Sequence, residues 1–219
     1  MCGVIGFISQ NATIGDLEIL KKVMIESRIR GKHASGIAWY DGKSIKSFVK
    51  PIAIDELVNE FDFNKLIVNK KVAMIAHARY STSDIRYNQP IVGESMAIVH
   101  NGVITQSHPK NWEKQFGYKC KTCNDSELLL RAMENKDEPL KKFNTSSIAA
   151  LVLKNNGELI CMRNSQRPLW IGILGEGTIY ASTYDILHRT GIHDIKSVPN
   201  FSKNTDLQRR NFKQWGLHK

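Results

Sequence analysis

A cysteine stands second in the chain, in Met1-Cys2-Gly3. Once Met1 is removed, a thiol and a free α-amine belong to one residue. An ordinary thiol titrates near ~8.5 and an α-amino group near ~7.7–8.0. The amine can therefore take the thiol proton with no separate His or Asp. A cysteine here can equally be a small buried residue opening a strand, so other residues must decide. In His77-Ala78-Arg79-Tyr80-Ser81-Thr82-Ser83, Arg79 ends an apolar run. A guanidinium there can form a bidentate pair with a carboxylate. In Val99-His100-Asn101-Gly102-Val103, the Asn side-chain amide and the Gly N–H could donate to a developing oxyanion. One such donor is typically worth ~10²–10³ in rate, although Asn-Gly is also the commonest hairpin-turn pair. Asp125, in Asn124-Asp125-Ser126-Glu127, stands at a helix start. It suits a substrate ammonium, or simply caps the helix. Together these residues point to an α-amino acid with a side-chain amide. Arg79 takes its carboxylate, Asp125 its ammonium, and Cys2 attacks the amide carbon while Asn101 and Gly102 stabilise the oxyanion.

The elements that must position these groups are strand-rich. Cys2 to Ile8 reads as a short apolar strand. Thr13 or Asp16 can cap a helix through Leu17, Leu20, Val23 and Met24, a helical spacing. Gly36–Tyr40 and Lys43–Val49 flank Asp41-Gly42, a hairpin signal. Val72–Tyr80 and Ser95–His100 read as strands, and Asn124 to Glu127 as the capped, acidic start of a helix. Ile148–Lys154 and Glu158–Arg163 form a hairpin around Asn155-Asn156-Gly157, and Pro168–Leu174 and Thr178–Ser182 continue the strands. Many strands joined by short turns, with helices between groups, predict an α+β fold with mostly antiparallel sheets. The expected division is one domain over residues 2–200, followed by a basic extension over 201–219.

The ordered set of motifs resembles the class II glutamine amidotransferase domain, of the N-terminal-nucleophile hydrolases. It comprises the Cys-Gly start, the loop Arg30-Gly31-Lys32-His33-Ala34-Ser35-Gly36, His77-x-Arg79-Tyr80-Ser81-Thr82, Gln89-Pro90, His100-Asn101-Gly102 and Asn124-Asp125-Ser126-Glu127. The stretch Arg163-Asn164-Ser165-Gln166-Arg167-Pro168-Leu169 and the later Ala181-Ser182 are similar to the family too. The wording is nearest to glutaminase domains of the amidophosphoribosyltransferase kind. The resemblance implies a four-layer αββα sandwich. It implies that Cys2 forms a γ-glutamyl thioester from L-glutamine, releasing ammonia and then glutamate. Backbone around Tyr80 and Thr82 would complete the substrate pocket, and Arg30 and Gly31 would lie near the nucleophile. This chemistry needs neither cofactor nor metal. Two positions depart from the pattern: His33 stands where the family usually has an Asp, and Ser83 where the aminosugar synthase branch has a His.

The whole chain sets further expectations. Its longest apolar runs are strand-sized and cannot span a membrane, and the start has no basic region typical of a signal peptide. The expected location is cytoplasmic, with Cys2, Cys120, Cys123 and Cys161 reduced. Cys120-Lys121-Thr122-Cys123 supplies only two of the four ligands a structural zinc needs, with His108 a possible third. The pair therefore reads as two reduced cysteines. The net charge is +10, from 31 Lys and Arg against 21 Asp and Glu, which suits an anionic substrate or nucleic acid. About 20 residues follow the domain, too few for an ammonia-accepting domain. The expected activity is thus a stand-alone glutaminase serving a separate synthase or transferase. The alternatives are a hydrolase of another γ-glutamyl amide, and a catalytically idle, nucleic-acid-binding version of the fold.

Overall fold

The structure is a computed structural model that describes residues 1–81 and 87–205. Thr82, Ser83 and most of the basic extension lie outside the described residues. In chain order the strands are β1 (Gly3–Ser9), β2 (Ala34–Tyr40), β3 (Ile45–Lys50), β4 (Val72–Arg79), β5 (Ile91–Val92), β6 (Met96–Val103), β7 (Ser147–Lys154), β8 (Leu159–Arg163), β9 (Trp170–Leu174), β10 (Gly177–Ala181), β11 (Lys196–Ser197) and β12 (Ser202–Thr205). The helices are α1 (Ile14–Glu26), α2 (Ile54–Glu60), α3 (Trp112–Phe116), α4 (Ser126–Glu134), α5 (Pro139–Lys142) and α6 (Tyr184–His188).

The strands form two sheets, of order β11-β9-β10-β1-β4-β2-β3 and β12-β8-β7-β6-β5. Every pairing between these strands is antiparallel. Alternation along each strand sorts the apolar side chains into three clusters. Ile5, Phe7, Met74 and Ala76 face α1, α2 and α6, meeting Leu20, Leu57 and Ile186. Val4, Ile8 and Ile75 face the other way and meet Val99 and Leu151 of the second sheet. The second sheet's outer face, with Ile98, Ala150 and Val152, packs on Trp112, Leu129 and Phe143 of the remaining helical region. Three apolar interfaces make four layers, the αββα sandwich of an α+β fold. Because both faces of the central strands are buried, β1 and β4 are buried along their whole length.

Local chemistry accounts for the element ends. Thr13 caps α1 through a capping box: its hydroxyl accepts from the Asp16 N–H, and Asp16 accepts from the Thr13 N–H. The strand β12 lies beyond the expected boundary at residue 200 and pairs with β8, so the second sheet runs past that boundary. No helix among the described residues is long and apolar enough to cross a membrane.

Candidate active site

Cys2 emerges at the edge of the sandwich just before β1. The start of that strand is fixed by Ser182, whose hydroxyl accepts from the Val4 N–H at 2.8 Å. The Cys2 backbone N–H donates to Asn101 Oδ1 at 3.3 Å, across 99 positions of sequence. Cys2 Sγ lies 3.9 Å from the Tyr80 carbonyl oxygen. Arg30 Nε reaches the Cys2 carbonyl at 3.4 Å. Burial lowers the pKa of the Arg30 guanidinium, and the neighbouring Cys2 opposes that shift.

Asn101 and Gly102 lie inside β6, paired with Ala149 and Ile148 of β7, and form no turn. Asn101 is buried; its Oδ1 is engaged by Cys2, and its Nδ2 has no partner among the described residues. Gly102 has φ +154°, and a Cβ there would sit 1.8 Å from the Ser147 carbonyl oxygen. Only glycine fits. Asn164 braces the start of the neighbouring strand β7. Its Oδ1 accepts from the Ile148 N–H at 3.0 Å and its Nδ2 donates to the Ser146 carbonyl.

A cleft of about 430 Å³ collects Cys2, Arg79, Tyr80, Gly102 and Asp125 on its walls. Arg79 is buried and donates through Nη1 to the Tyr87 carbonyl at 3.0 Å and to Asn88 Oδ1. Asn124 Nδ2 donates to the same Tyr87 carbonyl at 3.0 Å, joining the arginine wall to the aspartate wall. Asp125 is the N-cap of α4 by position only, because its side chain makes no cap hydrogen bond. Instead Oδ2 accepts from the N–H groups of Ile104 at 2.6 Å and Thr105 at 3.3 Å. The carboxylate thus ties the chain after β6 to the start of α4.

Gly31 does not line the cleft but lets the loop press against its wall. A Cβ on Gly31 would lie 2.2 Å from the Arg79 carbonyl carbon and 2.4 Å from the Tyr80 nitrogen. The neighbouring His33 Nδ1 accepts the Ser81 N–H at 2.9 Å, and its ring packs on Tyr80 with centroids 5.0 Å apart. A carboxylate oxygen at this position could accept the same N–H, so the departure at His33 keeps an acceptor. Of the site residues expected from sequence, Thr82 lies outside the described residues.

The same cleft holds His77, Gln89, His100 and Ser126, side chains to which the sequence patterns assign no role. Three of them form a closed ring of hydrogen bonds. His100 Nε2 lies 3.0 Å from the Ser147 carbonyl, which can only accept, so the proton sits there. Nδ1 then accepts from Ser126 Oγ at 2.8 Å. Ser126 Oγ accepts from Gln89 Nε2 at 3.0 Å, and Gln89 Oε1 accepts from the His100 N–H at 2.6 Å. Burial lowers the His100 pKa, with Asp125 opposing the shift. His77 is also buried. Burial, with Arg79 and His100 nearby, lowers its pKa to about 3, against a weaker opposing pull from the His100 backbone. Both imidazoles are neutral at ordinary pH.

Cys123 lines the cleft too, whereas Cys120 is half-buried and its thiol is pushed up to about 12 by burial and the Glu127 carboxylate. None of the four cysteines forms a disulfide. Among the described residues no group of three or more His, Cys, Asp or Glu side chains is placed to hold a metal ion.

The profile of a family described as a glutamine amidotransferase domain matches residues 77–189. Among curated proteins, an amidophosphoribosyltransferase of Methanothermobacter thermautotrophicus is 25% identical over 217 residues, covering 89% of this chain and 45% of that protein. A glutamine–fructose-6-phosphate aminotransferase of Bartonella henselae is 30% identical over 191 residues, covering 78% of this chain and 30% of that protein. The chain therefore spans less than half the length of either relative. The solved glutamine phosphoribosylpyrophosphate amidotransferase from B. subtilis, complexed with ADP and GMP, superimposes with a TM-score of 0.72 at 20% identity. That match covers 94% of this chain and 49% of that one. The chain belongs to the glutamine amidotransferase domain family, of the class II, N-terminal-nucleophile type.

Proposed function

We propose that this domain hydrolyses the side-chain amide of L-glutamine with Cys2 as its nucleophile, once Met1 has been removed. The reading rests above all on one contact: Cys2 N to Asn101 Oδ1 at 3.3 Å. It sets the future α-amine beside the side chain whose free Nδ2 suits an oxyanion. The α-amine takes the thiol proton, and the thiolate attacks the carboxamide carbon. Asn101 Nδ2 and the Gly102 N–H receive the developing charge. The C–N bond breaks, the amine's proton goes to the leaving nitrogen, and ammonia departs. A γ-glutamyl thioester remains. Water cleaves it to glutamate and the free thiol. Arg79 takes the α-carboxylate and Asp125 the α-ammonium, with backbone around Tyr80 against the side chain. Arg30 holds the Cys2 carbonyl and so orients the nucleophile. The ammonia serves an amine-forming enzyme, as the names of both curated relatives suggest.

Intact-protein mass spectrometry with a glutamine-like electrophile tests this reading. The expected product lacks Met1 and carries a single adduct on Cys2, and Cys2→Ala carries none. An adduct on Cys120 or Cys123 instead, or glutaminase activity that survives Cys2→Ala, would sink it.

A further inference from the structure

His77 has no part in the acyl transfer itself, yet its setting is built. Its side chain is only 1% exposed, it lines the cleft, and among the described residues neither ring nitrogen has a partner in good hydrogen-bonding geometry, the His100 backbone making only a weak contact with the ring. A buried polar group left unpaired costs about 1–3 kcal/mol. A partner absent from the protein itself would offset that cost. His77 precedes Arg79 by two positions on β4, and residues two apart share a face of a strand. Opposite His77 on β1 is Val4, which shares a face with Cys2 for the same reason. At ~3.3 Å per residue, the imidazole lies about 7 Å of strand deeper than Cys2 and Arg79. It faces the second sheet, from which Asn101 brings its own unpartnered Nδ2.

We propose that His77 seats the water that hydrolyses the thioester, in the place the departing ammonia leaves. This rests on Cys2 being the nucleophile. A glutamine held at its charged ends by Arg79 and Asp125 directs its amide nitrogen inward from Cys2, toward His77. Both ammonia and water offer a donor and an acceptor, which a neutral imidazole matches with one of each. An imidazolium would have no acceptor, and burial beside Arg79 keeps the ring neutral. The water oxygen bonds to the thioester carbon, and the C–S bond breaks. One water proton passes by way of the α-amine to the sulfur, and the other stays on the new carboxyl until solvent takes it. His77 gains and loses no net proton; it positions the water.

The test separates the two half-reactions in full-length protein lacking Met1. His77→Leu removes the seat, and His77→Gln restores a donor and an acceptor. The rate at which a glutamine-like electrophile labels Cys2 should be unchanged in both variants. Glutamate release at saturating glutamine should fall about 10²-fold in His77→Leu, with partial recovery in His77→Gln. Acid quenching during turnover should trap a γ-glutamyl adduct on Cys2 in His77→Leu and little in the parent. If labelling and turnover fall together, or no adduct accumulates while Cys2 still labels, the water seat is wrong. If the parent itself fails to label at Cys2, the nucleophile assignment goes as well.

Discussion

His77 and His100 carry a consequence for stability as well as chemistry. The unfolded chain protonates a histidine near pH 6.5, whereas folded His77 waits until about 3. Between those values the unfolded state binds the extra proton, so stability falls as pH drops through this window and is intact above it. His100 shifts in the same direction. His77→Gln cannot titrate. Its stability should therefore fall less than the parent's between about pH 7 and pH 4, by a few kcal/mol at 1.36 kcal/mol per pKa unit. Denaturant melts at the two pH values measure the difference. Parallel losses in parent and variant would mean that folded His77 protonates as readily as an exposed histidine.

At the scale of elements, α4 is the piece that delivers Asp125, and a buried charge network holds it. Glu127 is fully buried and accepts the N–H groups of Lys121 and Thr122 at 2.8 and 2.6 Å. Arg131 bonds Glu127 through Nε and Nη2, and Glu134 through Nη1 at 2.7 Å. Glu134 Oε1 in turn accepts from the Glu94 and Ser95 N–H groups ahead of β6. Burial alone would raise the Glu127 pKa, but these donors hold it below the usual carboxylate range. Arg131→Ala leaves that charge buried without its main partner and should cost about 3–5 kcal/mol. It should also loosen Asp125 and raise KM for glutamine more than it lowers kcat. A melting curve and a glutamine titration decide; unchanged stability would mean that the backbone donors alone suffice for Glu127. Sequence periodicity reveals β1, β4, the β7–β8 hairpin and the capped start of α1, because their patterns are local. The passage of β6 through Asn101-Gly102 is not legible, because pairing with Ala149 and Ile148, far along the chain, overrides the local turn preference. Glu127 reads as a helix-start acid, since nothing local shows that the Lys121–Thr122 backbone folds back onto it. The side chains proposed as catalytic and substrate-binding are legible as residue types in an order. Their support by Gln89, Ser126 and Asn164 is not, for each spans distant segments.

In the whole molecule, the cleft exists only because two sheets and a helix meet at one end of the sandwich. The first sheet brings Cys2 and Arg79, the second brings Asn101 and Gly102, and α4 brings Asp125. Met1 stands outside this assembly: it is 64% exposed, and its sulfur accepts from Arg30 Nη2 at 3.5 Å. Removing it disturbs no core contact, so processing should change chemistry without changing fold. While Met1 remains, the Cys2 nitrogen is a peptide N–H with no lone pair free to take the thiol proton. Inserting a lysine between Met1 and Cys2 should prevent removal of the initiator methionine and keep that nitrogen acylated. The melting temperature should match that of the processed protein, while glutaminase turnover falls about 10²–10⁴-fold, the usual contribution of a positioned base. Mass spectrometry confirms the retained terminus in the same sample used for kinetics. Full turnover from the blocked protein would assign the base to another group.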